Sequence, residues 1–351
     1  MREHLGTASR DAPAFETVER LRSRLGDYLS AAAGRPVSVE RLTKFPAGFS
    51  WITCAVSLSN SPIAKEAILR VGPPYGIFAP YSAMPEFESL SALASSEVPA
   101  PRVYLASDDP TILGAPFFLS EKVEGDTPLP WGSQGQALEG ARRDALAADF
   151  IGALAALHQF NWRATPLAKW GEGVTLENAA AMQIDDWEAR FRRWALRPHP
   201  MAHRALQWLR ANAPAAQRLS LVHGDYRLGN FLEKDGRITA ILDWELVHLG
   251  DPVEDLGWAF LPQYRGGTPL VCALASEEDF LARYKTQTGL SVTPASLRFY
   301  RVFSLVKLAF THMAAARCFE DGQFNDMRMP AMATQIAPVF RQIGRTLDEA
   351  A

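Results

Sequence analysis

The sequence predicts an α+β protein of two lobes, a small β-rich lobe followed by a large helical one. Three observations predict it. Short apolar runs separated by Gly and Pro turns fill residues 37–123, helical periodicity takes over near Gly125, and a single Asp-Gly hairpin is embedded in the helical part. The expected division is an N-terminal helical segment at 1–34, a β-rich lobe at 35–124 and a helical lobe at 125–351.

Each element follows from its pattern. Val18, Leu21, Leu25, Tyr28 and Leu29 share one helical face, and Gly34 with Pro36 stops that helix. Val37–Phe45 and Trp51–Leu58 read as strands flanking a turn at Pro46-Ala47-Gly48, with Ala67–Val71 as a third strand closed by Gly72-Pro73-Pro74. Phe87, Leu90 and Leu93 give Pro85–Ala94 a helical period, and Val103–Ala106 and Pro116–Val123 complete the β-rich lobe. Beyond Gly125, helices are expected at Leu138–His158, Asp186–Arg197 and Met201–Ala211, and helices fill the rest after the hairpin, including Leu297–Cys318. Between them Leu219–Val222 is extended, and Phe231–Lys234 pairs with Arg237–Leu242 through Asp235-Gly236.

Composition narrows the function. A 351-residue chain with 48% hydrophobic residues has ample core, and its net charge of -3 gives no general attraction to nucleic acid or an anionic membrane. Met1–Ser30 shows no apolar h-region, and nowhere do about 18 apolar residues run unbroken, so neither a signal peptide nor a membrane span is expected. Cys54, Cys272 and Cys318 are far apart and odd in number, which argues against a disulfide framework or zinc ribbon and fits a reducing, cytoplasmic setting.

Chemistry concentrates in His223-Gly224-Asp225-Tyr226-Arg227-Leu228-Gly229-Asn230, followed by Ile241-Leu242-Asp243-Trp244-Glu245. Phosphoryl transfer needs a carboxylate that orients and deprotonates the attacking hydroxyl, and oxygen ligands for the metal on the phosphates. Asp225 opens a short loop, Asn230 closes it, and the hairpin delivers Asp243 at the end of its second strand. His-Gly-Asp alone is an ordinary polar turn. The second acid behind a hairpin is what gives the set weight.

These residues resemble the aminoglycoside phosphotransferase family, whose catalytic loop reads His-Gly-Asp with an Asn five residues after the Asp. Within it the chain is similar to the branch related to the kinase-like region of certain acyl-CoA dehydrogenases. Leu221–Leu232, Ile241–Glu245 and Gly250–Gly257 carry the likeness in the second lobe. In the first it rests on Ile68-Leu69-Arg70, Pro99–Val103, Leu113–Leu119 and Val123-Glu124-Gly125, so it spans about residues 35–320.

The resemblance implies a protein-kinase-like fold that binds Mg-ATP in the cleft between lobes and phosphorylates a hydroxyl of a small molecule. It implies Asp225 as catalytic base, Asn230 and Asp243 as Mg²⁺ ligands, and Gly48 in a turn covering the phosphates. Arg70 stands where kinases place a phosphate-gripping lysine, a departure that a bidentate guanidinium can serve. Glu86 is its expected orienting partner with Glu88 as the fallback, and Glu121–Val123 supply backbone groups to adenine.

Other residues are expected to be structural. His158 and His223 would brace the loop, Asp255 or Asp251 would hold its backbone, and Trp187, Phe191 and Trp194 would pack in the core. Glu245 lies on the same side of an extended segment as Asp243, so a metal contact is open to it, with solvent exposure as the plainer reading. Arg190, Arg192, Arg193, Arg197, Arg204 and Arg210, with no acid among them, lean towards a neutral or anionic acceptor, although such a run is commonly a solvated face. The rival from another class is a catalytically silent nucleotide-binding or scaffolding module on the same fold, left open by the Arg70 departure. A metal-dependent phosphoesterase would need more His and Asp ligands than this cluster offers.

Overall fold

The computed structural model describes residues 18–46, 48, 50–129, 138–195, 197–322 and 326–348. The stretch before Val18, and Ala47 of the expected Pro46-Ala47-Gly48 turn, lie outside the described residues. The chain forms two compact units, one running to Pro74 and adding Phe78–Ala83 and Tyr104–Lys122, the other made of Tyr75–Ile77, Met84–Val103 and the chain from Val123 onwards. The α+β class expected from the sequence is borne out.

The first unit is built on a five-stranded sheet of β1 (Ser38–Lys44), β2 (Ile52–Ser59), β3 (Glu66–Val71), β4 (Val103–Ser107) and β5 (Phe117–Glu121), in the order β1-β2-β3-β5-β4. Cys54, Val56 and Leu58 of β2 face Leu69 and Ala67 of β3 on the buried side, as strict alternation requires. In β1 the inward residues Val39 and Leu42 are three apart, which would put them on opposite faces of a regular strand. The register shift between Val39 and Arg41 restores them to one face, with Glu40 as the extra residue. The helix Val18–Ala33 closes this core with Leu21, Leu25 and Leu29.

The second unit is helical and is organised around Pro294–Glu320, 27 residues long. Pro294 sits in its first turn and the Thr293 hydroxyl accepts the Ser296 N–H at 3.1 Å, a regular N-cap. Its most apolar 18-residue window has a mean hydropathy of 1.3, so by length and apolarity it could cross a bilayer, a feature that the search for unbroken apolar runs passes over. That window is 78% buried inside the protein, and the helix is the core of its unit. Gly257 of the helix Val253–Ala259 lets the two helices approach closely, since a Cβ there would lie 2.6 Å from the Tyr300 backbone.

Several boundaries differ from expectation. The helix expected at Asp186–Arg197 runs Ala179–Trp194, because alanines extend the pattern backwards. Glu277–Thr288 and Ile336–Asp348 are among the helices that fill the chain after the hairpin, as expected. The extended run becomes β6 (Ser220–Val222), and its antiparallel partner β9 (His248–Gly250) lies beyond the hairpin of β7 (Phe231–Lys234) and β8 (Arg237–Ile241). Asp235 and Gly236 take φ of 54° and 77°, the left-handed pair that a two-residue hairpin turn demands.

Candidate active site

The loop between β6 and β7 has almost no freedom in its backbone. Asp255, wholly buried, accepts the N–H of His223 on Oδ2 and of Gly224 on Oδ1, both at 2.8 Å. His158 lies 3.1 Å from the same Oδ2 through Nε2 and 2.7 Å from the Tyr284 hydroxyl through Nδ1. A carboxylate only accepts, so Nε2 carries the proton and Nδ1 accepts from Tyr284. Burial alone would raise the Asp255 carboxyl, but His158, His223 and the bonded amides outweigh it and hold it below the ordinary range. Asp255 therefore holds the loop backbone, whereas Asp251 caps the next helix by accepting the Val253 N–H at 2.9 Å.

His223 braces the loop from inside. Its Nε2 donates to the Leu242 carbonyl at 3.0 Å and its Nδ1 accepts the Asp225 N–H at 3.1 Å, so both ring nitrogens serve the backbone. Burial, the largest influence, lowers its pKa and favours the neutral ring. Gly224, at φ 81°, packs where a Cβ would lie 2.6 Å from the Leu246 carbonyl oxygen, so no other residue fits without moving that chain.

The carboxylate of Asp225 accepts three hydrogen bonds. Arg227 Nε at 2.8 Å and Trp258 Nε1 at 2.6 Å reach Oδ1, and Asn230 Nδ2 reaches Oδ2 at 2.6 Å. A carboxylate offers about four lone-pair sites, so roughly one remains for an incoming hydroxyl. Arg227 lies over the Tyr264 ring at 5.2 Å, and its ion pair with Asp225 outweighs burial and holds the guanidinium above its ordinary range. Arg227 stood in the motif without a role, and Trp258, three positions after Asp255, was missed.

Asn230 and Asp243 follow the same construction. The amide nitrogen of Asn230 also donates to the Asp225 carbonyl at 3.0 Å, which turns its amide oxygen to the other side. Asp243 takes left-handed dihedrals of 68° and 56°, a conformation costing a non-glycine residue on the order of 1 kcal/mol or more, at the junction of β8 and the helical turn Trp244–Leu246. The Asp243 carboxylate and the Asn230 amide oxygen are hard donors of the kind Mg²⁺ takes, and this donor set fits that ion. Among the described residues no group of three or more His, Cys, Asp or Glu could hold a metal, which leaves no multi-histidine centre of the phosphoesterase kind there. Glu245 lies in the helical turn, so the expectation that it faces the same side as Asp243 along an extended segment is corrected.

On the sheet unit, Gly48 has φ of 101°, a value suited to glycine, and Arg70 lies on β3 with its guanidinium 5.6 Å from the Trp51 ring and 5.7 Å from Phe118. Glu121 ends β5 opposite Ala67 of β3. In the other unit Val123 begins the main segment and is half-buried, and Glu86 is buried on the helix Met84–Leu93. Glu88, the fallback partner, instead accepts from Lys169 at 2.6 Å and Trp170 at 2.9 Å.

Four of the six arginines in this segment pair with acids. Arg190 pairs with Asp186, Arg192 with Glu188, Arg204 with Asp348, and Arg210 with Asp185 and Glu188. The acids lie one turn ahead of the run or far away in sequence, so the charge of these four is balanced locally. Trp187 and Phe191 are core residues, the latter stacked on Phe310 at 4.4 Å, whereas Trp194 is only half-buried.

The model of the phosphotransferase enzyme family (APH) matches residues 41–300. Mouse acyl-CoA dehydrogenase family member 10 is 28% identical over 325 residues, covering 87% of this chain and 29% of that protein. Human acyl-CoA dehydrogenase family member 11 is 28% identical over 240 residues, covering 64% of this chain and 30% of that protein. The chain thus spans less than a third of the length of either relative. Among solved structures, a Ralstonia eutropha protein assigned to the aminoglycoside phosphotransferases superposes with a TM-score of 0.70 at 23% identity, over 92% of this chain and 97% of that one. A mutant of aminoglycoside phosphotransferase APH(4)-Ia with ADP and hygromycin B gives 0.59 at 16% identity, over 93% and 99%. At these identities the likeness is one of fold.

Proposed function

Because the chain belongs to the phosphotransferase enzyme family, we propose that it transfers the γ-phosphoryl group of ATP to a hydroxyl of a small molecule, with Asp225 as catalytic base. The observation that carries this is the Asp225 carboxylate itself, fixed by Arg227, Trp258 and Asn230 with about one acceptor direction left. An acceptor hydroxyl donating to that direction is oriented for attack, and Asp225 takes its proton as the oxygen bonds to phosphorus and the bond to ADP breaks.

Asn230 and Asp243 would hold Mg²⁺ through the Asn230 amide oxygen and the Asp243 carboxylate. When bound, the ion neutralises charge on the phosphates. The roles of Gly48, Arg70, Glu86, Glu121 and Val123 towards the nucleotide are those the family resemblance implies. The APH(4)-Ia neighbour is seen with ADP and hygromycin B, which supports a nucleotide and a small-molecule acceptor for this chain without naming that acceptor.

The test is a panel of small hydroxyl compounds, neutral, anionic and cationic, incubated with Mg-ATP and followed by ADP release and phosphorylated product. Product formed by wild type and lost in Asp225→Asn supports the proposal. Firm nucleotide binding with no product from any compound would favour the silent module.

A further inference from the structure

We propose that Lys307 is a positioning residue for Asp225, fixing the two groups through which that carboxylate is aimed, the Gly224 carbonyl and the face of Trp258. This rests on the reading of Asp225 as the residue that orients the acceptor. Lys307 interrupts an apolar stretch of the central helix, between Val306 and Leu308, and is only 1% exposed. Its ammonium donates to the Gly224 carbonyl at 3.0 Å and to Glu254 Oε1 at 2.7 Å. The same nitrogen lies 5.1 Å from the Trp258 ring, 5.4 Å from Trp187 and 5.7 Å from Phe303. Trp258 is the residue whose indole N–H reaches Asp225 Oδ1 at 2.6 Å.

The peptide before Asp225 is thus clamped from both sides. Its C=O, on Gly224, accepts from Lys307, and its N–H, on Asp225, donates to His223 Nδ1. That peptide cannot rotate while both bonds persist, and its rotation would swing the Asp225 side chain.

A third charged side chain completes the support. His248 lies 2.9 Å from the Leu246 carbonyl through Nδ1 and 3.2 Å from Glu254 Oε2 through Nε2. Both partners are acceptors, so both ring nitrogens carry protons and the ring is an imidazolium. Leu246 O is the atom against which Gly224 packs, so His248 fixes the opposite wall of the same glycine. Glu254 takes both cations, one on each oxygen.

Buried ion pairs are poor sources of stability, and apolar side chains of similar volume commonly replace them without loss of folding. Here the buried cation makes a directed bond to the residue preceding the proposed base, which an apolar replacement cannot make. Geometry rather than stability accounts for its place.

The experiment compares wild type, Lys307→Arg, Lys307→Met and the double variant Lys307→Met/Glu254→Met, which removes the pair together and leaves no lone buried carboxylate. Two quantities are read in the intact chain: hydrogen exchange of the His223, Gly224 and Asp225 amides, and kcat and KM for Mg-ATP with an acceptor from the panel. The expected result is exchange faster by about 10-fold or more at those three amides, with the rest of the core unchanged. With it should come a loss of kcat of about 10²-fold at constant KM, in the methionine variants but not in Lys307→Arg. Exchange at wild-type rates at residues 223–225, or unchanged kcat, in either folded methionine variant overturns the role. If wild type transfers phosphate to no compound, the phosphotransferase reading fails separately, and the exchange rates alone support or overturn the clamp.

Discussion

Asn230 spends its amide nitrogen twice on Asp225, donating to the side-chain Oδ2 at 2.6 Å and to the backbone carbonyl at 3.0 Å. The five-residue spacing legible in the sequence is therefore a closed hydrogen-bonded loop. It fixes the proposed base and turns the Asn230 oxygen away from it. Asn230→Asp keeps an oxygen ligand but replaces the donor with a second acceptor facing Asp225. Metal-dependent nucleotide binding should persist while transfer falls by about 10²-fold, the cost of a misplaced base. Steady-state kinetics beside a nucleotide titration separates the two effects, and transfer at the wild-type rate would show that this bond does not position Asp225.

Asp225→Asn retains shape and loses the basic oxygen. The expected loss of transfer is about 10²–10⁴-fold, with nucleotide affinity nearly unchanged. A variant that turns over normally with the proper acceptor would remove Asp225 from its role.

Asp255→Ala leaves the N–H groups of His223 and Gly224, and His158, without their acceptor in a wholly buried place. Hydrogen bonds to a charged group contribute about 1.5–3 kcal/mol each, and unfilled buried donors add a penalty, so a loss on the order of 4 kcal/mol is expected in urea unfolding. A loss below about 1 kcal/mol would contradict the anchoring role.

The motif carried much of this site openly. The expectations that His158 and His223 are structural agree with bonds that engage both nitrogens of each ring. Asp255 and Asp251 could not be told apart from sequence, because both flank one helix start and only the fold decides which faces the loop. Trp258 and Lys307 were missed because their partners lie far away in the chain, whereas His248 and Glu254, only six residues apart, formed no motif that marked them as a pair. Lys307 left one legible trace, a lone cation within an apolar helical run, which is costly unless paired. The β1 bulge was also readable in principle, since Val39 and Leu42 break the period of two. The acids paired with four of the six arginines lie outside the window in which charges were counted.

His312 should govern part of the response to acid. It is 8% exposed, its Nδ1 makes no hydrogen bond, and burial lowers its pKa to about 4. An unfolded histidine titrates near 6.5, so this depressed group contributes stability fully above about pH 6.5 and loses it as pH falls through about 4. Asp251 works the other way: burial raises its carboxyl to about 6, so its contribution is present at low pH and lost as pH rises through that value. The two offset each other in wild type. His312→Leu removes the histidine effect and leaves the other groups as they are, so the variant should gain on wild type by about 2 kcal/mol between pH 7 and pH 4.5. Denaturant titrations at the two pH values check this, and a constant difference would contradict the buried neutral ring.

The most direct test of the account is Mg-ATP binding by calorimetry to wild type and Asp243→Ala, since it needs no knowledge of the acceptor. The account predicts binding to wild type that depends on Mg²⁺ and weakens by at least about 10-fold in the variant, the loss of about 1.4 kcal/mol expected when one carboxylate ligand goes. Absence of binding to wild type, or equal and metal-independent binding to both, would contradict it.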